Sequence, residues 1–307
     1  MARADMRIGV DLGGTKTEIV ALDQDGQVLD SARVASARGD YAATVATIAG
    51  LVVASEARTG RRGTVGVGIP GVVDPASGRV RGANSTWLNG RPLAADLDAA
   101  LGREVRLAND ANCFAVSEAT DGAAAGARCV FGIIVGTGCG GGIVVDGQPL
   151  TGRHAIAGEW GHNPLPWPGP AEWPGPVCWC GKAGCLETWI SGTGLARDFA
   201  AVSGRAETAE RIAELAGEDD QAAQAALARH EDRMARALAV VVNLIDPDIV
   251  VLGGGLSRMD RLYRNLPALI APHLFIGGAA VDIAIVPPRH GDASGVRGAA
   301  WLWPAAR

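Results

Sequence analysis

The chain has 307 residues, 48% of them hydrophobic and 5% aromatic, with a net charge of −5. That length suits one large domain or two of ordinary size. No apolar run is long enough to span a membrane. With lysine only at positions 16 and 182 and no basic run, no nucleic-acid surface is expected.

Residues 1–5 read as a ragged terminus without a secretion signal, so a cytoplasmic chain without a disulfide scaffold is expected. Residues 7–11 and 16–22 read as two apolar strands joined by a Gly-Gly turn. Asp11, Gly13, Gly14, Thr15 and Lys16 crowd onto that turn. Bare backbone N–H groups, a hydroxyl and an ammonium suit a phosphate, and a strand-end carboxylate suits a hydrated Mg²⁺. The same residues also suit an ordinary hairpin with a solvated lysine. Residues 40–58 have helical periodicity, and residues 64–69 form a strand. Gly66, Gly68 and Gly71 match a dinucleotide fingerprint in form. Pro70 and the following VVDPASGRV describe a turn and another extended segment, so that fingerprint is set aside.

Asn84 lies in a polar loop before a short helix at 94–101. Residues 105–109 form a strand that ends in Asn109-Asp110, and a helix begins near 112. A carboxylate at such a junction is a common catalytic position in α/β proteins. Helix capping by Asp110 or Asn112 fits the local sequence equally well. Residues 129–147 repeat the logic of the first hairpin, with Thr137 among glycines, about 125 residues later, which suggests a duplicated fold.

Residues 158–187 carry the densest chemistry. His162, Cys178, Cys180 and Cys185 supply one imidazole and three thiolates, a tetrahedral set suited to zinc. Four protein ligands close the shell, so the zinc is structural. A Cys-x-Cys pair is poorly spaced for an internal disulfide. Glu159 and Glu187 flank the set and suit a polar, uncharged ligand. Three helical stretches follow, at 190–204, 208–216 and 220–242. A buried strand at 248–252 runs into Gly253-Gly254-Gly255, which suits either a close ligand or a tight βα turn. A late strand at 281–286 and a closing helix at 294–303 complete the chain, with Trp301 and Trp303 packing on a neighbouring element.

Taken together, DLGGTKTEIVAL, NDANC, GTGCGGG, GEWGH, CWCGKAGCLE and IVVLGGG resemble the ROK family of sugar kinases and related repressors. Within that family, NSTWLNG, VRLANDANC and HGDASGVRGAAWLWP look like the bacterial fructokinases, some of which also accept mannose. The resemblance implies an α/β protein with the duplicated actin-like ATPase (ribonuclease H-like) fold, two lobes with a cleft between. The lobes are residues 1–117 with 290–307, and residues 118–289 with the zinc loop. It also implies transfer from ATP, with Mg²⁺, to the 6-hydroxyl of fructose, in a homodimer.

On the same resemblance, Asp110 is the general base. Asn84, Asn109, Glu159, His162 and Glu187 hold sugar hydroxyls. Gly13, Gly14, Thr15, Lys16 and Thr137 contact phosphates, Asp11 holds Mg²⁺, and Gly253 and Gly254 border the adenosine. A glucose or N-acetylglucosamine kinase on the same scaffold is the alternative. A sugar-sensing repressor is less expected, because those relatives carry a helix-turn-helix ahead of the first strand. Cys139 stands beside the phosphates in this reading, as a site of oxidative sensitivity. The Pro/Trp-rich segment 164–177 reads as a lid rim or an oligomer contact.

Overall fold

The computed structural model describes residues 6–275 and 281–303. Residues 1–5, expected as a ragged terminus, lie outside the described residues. Strands β1 (Arg7–Leu12), β2 (Lys16–Leu22) and β3 (Val28–Ala35) form an antiparallel meander. Helix α1 (Tyr41–Thr59) follows, capped by Asp40, whose side chain accepts from Ala43 N. Then come β4 (Thr64–Ile69), a small hairpin of β5 (Val72–Val73) and β6 (Val80–Arg81), helix α2 (Leu93–Leu101), β7 (Val105–Asn109) and helix α3 (Asp110–Thr120). No helix opens after the Gly66-x-Gly68-x-x-Gly71 run, as Pro70 predicts.

A second set begins with β8 (Cys129–Val135), β9 (Cys139–Val145) and β10 (Gln148–Pro149). Helices α4 (Glu187–Ile190), α5 (Gly192–Ser203), α6 (Ala209–Gly217) and α7 (Gln221–Ile245) follow. Then come β11 (Ile249–Gly253), α8 (Asp260–Ile270), β12 (Ile285–Val286) and α9 (Ser294–Trp301). The sheets run β3-β2-β1-β4-β7 and β10-β9-β8-β11-β12. In each, two antiparallel joins are followed by two parallel ones. The duplication read from the two Gly hairpins is therefore a duplication of whole sheets.

Each sheet has its own core. The first packs on α1 and α2, around Ile8, Val10, Ile48, Val52 and Leu97. The second packs on α5 to α8, around Phe131, Phe199, Leu238 and Leu266. Helix α8 escaped the sequence analysis, although Leu262, Leu266 and Ile270 repeat every fourth residue and are its buried stripe. Helices α3 and α9 pack on each other, α3 against β8 and β9, and α9 against β1 and β4.

Glycine permits these crossings. A Cβ on Gly298 would stand 1.6 Å from Cys113 O on α3, and one on Gly66 would stand 1.9 Å from Ala299 O on α9. The glycine of the apparent dinucleotide fingerprint is thus a helix-packing device. Trp303 closes the chain against the first sheet. Its indole N–H donates to Val65 O at 2.7 Å, and Arg106 lies 4.1 Å over its ring. No helix among the described residues is long and apolar enough to cross a membrane.

Candidate active site

The β1–β2 turn closes by Gly13 N donating to Lys16 O at 3.0 Å. Ser36 pins it from behind: its hydroxyl donates to Gly13 O at 2.8 Å, and its N–H to Thr15 O at 3.0 Å. The turn lines a cavity of about 630 Å³ that gathers Asp11, Gly13, Gly14, Thr15, Lys16, Asn84, Asp110 and Gly254. Arg38, Ser85, Asp292 and Gly295 line it too. Sequence reasoning missed these four: Ser85 follows Asn84, while Arg38, Asp292 and Gly295 of α9 reach the cavity only through the packing of segments distant in the chain. Gly253 sits one residue behind the cavity wall, buried against Phe114.

A second cavity, of about 270 Å³, adjoins the first and shares Asn84 and Asp110 with it. It also gathers Asn109, Thr137, Glu159, His162 and Glu187. Asn109, rather than Asp110 or Asn112, caps α3, so the helix starts at Asp110. Ala111 N donates to Asn109 Oδ1 at 2.9 Å and to Asp110 Oδ1 at 2.8 Å. Asn109 Nδ2 reaches Gly71 O at 3.3 Å. The junction therefore caps the helix and points a carboxylate into the cleft.

Asp110 opens to solvent within the cleft, yet protein encloses it on most sides. That enclosure raises its pKa; the Ala111 N–H opposes the rise and the Glu159 charge adds to it. Asp11 is pushed up from 3.8 to about 6, first by burial, then by Asp110 and Glu18, with Lys16 opposing. A base whose pKa rises toward the working pH is better matched to proton transfer.

His162, Cys178, Cys180 and Cys185 bring their ligand atoms within 4.8 Å of one another. His162 Nδ1 lies 3.6 Å from Cys178 Sγ, and Cys180 Sγ lies 3.6 Å from Cys185 Sγ. A zinc tetrahedron with bonds of about 2.1–2.3 Å has edges of about 3.5–3.8 Å, so these two separations match it and the donor types suit zinc. All six cysteines are free thiols. A tight turn holds the tip of the loop, with Cys178 N donating to Lys182 O at 2.7 Å.

Glu187 ties this loop to the second hairpin. Its Oε2 accepts from Cys139 N at 3.0 Å, and its Oε1 from Trp179 Nε1 at 2.7 Å. Trp179 is a further wall residue that sequence reasoning missed. Burial pushes the Cys139 thiol well above its ordinary range. A buried, protonated thiol is a poor nucleophile, so this environment does not support the expected oxidative sensitivity.

The segment 164–177 is clamped onto α7. Arg236 donates to Pro166 O at 2.9 Å and Trp167 O at 3.0 Å, and Arg233 and Arg236 both bond Glu172. Burial raises Glu172, but the hydrogen bonds from Arg236 and Arg233 outweigh it and bring the carboxyl down to about 2.

The ROK family profile matches residues 7–306. The chain belongs to the ROK family. It is 41% identical over 301 residues to an N-acetyl-D-glucosamine kinase from Vibrio cholerae, across 97% of this chain and 99% of that protein. It is 40% identical over 305 residues to one from Erwinia tasmaniensis, with 97% and 99% covered. Among solved structures, a ROK hexokinase from Thermus thermophilus superposes with a TM-score of 0.85 at 30% identity, covering 97% of each chain. A Streptomyces griseus ROK glucokinase, solved with glucose and AMPPNP, gives 0.75 at 28%, covering 98% and 100%.

These relatives support the two-lobe, actin-like sugar-kinase fold expected from sequence. Within this family of sugar kinases they do not support the fructokinase placement. Short segments suggested fructokinase; the relatives matched over nearly the whole chain are N-acetyl-D-glucosamine kinases.

The raised Asp11 pKa generates a stability prediction. At pH 7 this carboxylate is ionised in both folded and unfolded chains, and the fold bears the cost of holding the charge. Below about pH 4 it is protonated in both, and the cost disappears. Asp11→Asn in the metal-free protein should therefore melt higher than wild type at pH 7. Its advantage should shrink through about pH 6, the folded value, and vanish below about pH 4. Thermal melts across that range check it, and an advantage independent of pH would contradict it.

Proposed function

We propose that the protein transfers the γ-phosphoryl group of ATP to the 6-hydroxyl of N-acetyl-D-glucosamine. The observation that carries this reading is the 39–41% identity to N-acetyl-D-glucosamine kinases over nearly the whole chain. The cleft supports it: Asp110 stands where the Gly-turn cavity meets one walled by amide, imidazole and carboxylate groups. Neutral sugars need such acceptors and donors placed in advance.

Asp110 accepts the proton of the 6-hydroxyl. The sugar oxygen forms its bond to the γ-phosphorus as the bond to the β,γ-bridging oxygen breaks, and ADP leaves. Asn84, Asn109, Glu159, His162 and Glu187 hold the other hydroxyls. Gly13, Gly14, Thr15, Lys16 and Thr137 contact the phosphates, joined by Arg38, which sequence reasoning did not assign. Asp11 would hold Mg²⁺, which would offset phosphate charge, and Gly254 borders the adenosine, with Gly253 one residue behind it.

His162, Cys178, Cys180 and Cys185 would hold one zinc ion, which with four protein ligands would supply structure alone. The lobes, residues 1–117 with 290–307 and residues 118–289, divide within α3 and close over the sugar to exclude water. The proposal includes a cytoplasmic homodimer; the exposed Trp167, Trp173 and Val177 on the rim segment support a contact there.

Turnover of ATP with N-acetylglucosamine, glucose, mannose and fructose tests the reading, with Asp110→Asn alongside. N-acetylglucosamine should have the highest kcat/KM. The variant should lose about a hundredfold or more in kcat while still binding the sugar. Preference for fructose would restore the earlier placement, and failure to phosphorylate any hexose would overturn the kinase reading. Metal analysis should find one zinc per chain, and its removal by a chelator should raise KM for the sugar more than KM for ATP. Unchanged sugar KM after complete removal would contradict the role given to the metal.

A further inference from the structure

Trp179 lies between two of the metal-type ligands, Cys178 and Cys180, yet its own side chain belongs to the cleft. It is 71% exposed. Exposed tryptophans are usually loosely held, but this one is fixed on several sides. Its indole N–H donates to Glu187 Oε1 at 2.7 Å, and its ring stands edge-to-face with His162, centroids 5.0 Å apart and planes at 84°. The backbone beneath is a tight turn, closed by Gly181 N donating to Cys178 O at 2.9 Å. The single polar atom of the ring is thus already satisfied, and what remains exposed is rigid hydrocarbon. Such a surface gains on contact with an apolar group and loses little entropy in making it.

The position of the ring indicates which group. Trp179 lines the 270 Å³ cavity that holds Asp110 and Glu187, and also an adjoining cavity of about 590 Å³. Gly71, Gly82, Glu159 and His162 are the other walls common to both. The larger cavity is mostly apolar, with Val72, Phe131, Ile143, Ile156 and Leu186 in its lining. At the junction, Gly82 has φ +66°, and no atom stands within 4 Å of where its Cβ would be. The passage from the polar cavity to the apolar one therefore has Glu159 and His162 as its polar walls and bare backbone with an aromatic ring as its apolar ones. A hexose bearing only hydroxyls can use the polar walls and has nothing to place on the apolar ones. A hexose bearing an acetamido group has a flat amide and a methyl.

We infer that Trp179 is a specificity-determining residue, whose ring packs on the acetamido group of an N-acetylated hexose at the mouth of the apolar cavity. The inference rests on the kinase reading above and deepens it by naming the contact that separates N-acetylated from plain hexoses. It adds nothing to the chemical step, so its effect falls on the choice of sugar. The ring has a second role that must be kept apart, because its N–H also orients Glu187, and loss of that bond affects every sugar alike.

Two variants separate these roles. Trp179→Phe keeps an aromatic face and loses the bond to Glu187, whereas Trp179→Ala loses both. Initial rates with ATP give kcat/KM for N-acetylglucosamine and for glucose in wild type and both variants. Trp179→Ala should lower the ratio of the two sugars by about tenfold or more, chiefly through KM for N-acetylglucosamine, the usual worth of a small apolar contact in a pocket. Trp179→Phe should keep the ratio within about threefold of wild type, even where both sugars fall together. If both variants lower both sugars equally, Trp179 acts only through Glu187 and the inference is overturned. If wild type phosphorylates glucose but no N-acetylated hexose, the proposed function itself fails, a result distinct from the first.

Discussion

The rest of the structure depends on the close contact of α3 and α9 between two sheets. At the crossing there is no room for a side chain, because Gly298 meets the backbone of Cys113; α9 is seated as closely on the first sheet, where Gly66 of β4 meets the backbone of Ala299. Backbone touching backbone fixes the two helices to within a fraction of an ångström. It also fixes what lies at their N-termini. Asp110 opens α3, and Asp11 stands beside the start of α9, with its Oδ2 3.8 Å from where a Cβ on Gly295 would be. Each half of the duplicated fold thereby brings a carboxylate or a Gly hairpin to one cleft. The cleft concentrates negative charge where burial penalises it, and the raised pKa values of Asp11 and Asp110 are the signature of that cost. Such sites are where function and stability pull apart.

A second constraint holds the sugar side. Glu187 joins the cysteine loop to the second hairpin through its two oxygens, so movement of either displaces the other. Behind the loop, Arg233 and Arg236 grip Glu172 and the carbonyls of residues 166 and 167. Arg233 also stacks 4.5 Å over Trp189, just after Glu187. The loop is thus held at its rim by ion pairs and at its tip by the turn in which Cys178 N donates to Lys182 O. The rim segment, ambiguous as sequence, is first of all a clamp on α7.

Much of this was legible in the chain itself. The hairpin glycines, the Cys and His spacing and the 64–69 strand are local signals, and local geometry reproduces them. The matched hairpins disclosed the duplication because a Gly/Thr turn between apolar strands is rare enough to be noticed twice. Arg38 and Asp292 were not legible as neighbours, since only the packing of distant loops brings them to one cavity. Trp179 was hidden for another reason: between two cysteines it reads as part of a metal loop, and nothing local says which way it faces. The cap was sought at Asp110 or Asn112 and lies one residue earlier, at Asn109, which shares the Ala111 N–H with Asp110. The similarity to N-acetylglucosamine kinases lay in the whole chain rather than in any one motif.

The central claim is that one cleft holds the sugar and the triphosphate in line across Asp110. A crystal structure with N-acetylglucosamine and a non-hydrolysable ATP analogue tests it most directly. The account predicts the sugar 6-oxygen about 3 Å from the Asp110 carboxylate and in line with the γ-phosphorus, with the phosphates against the Gly13–Gly14 turn. A sugar seated with its 6-hydroxyl away from Asp110, or a triphosphate bound outside the Gly-turn cavity, would contradict it.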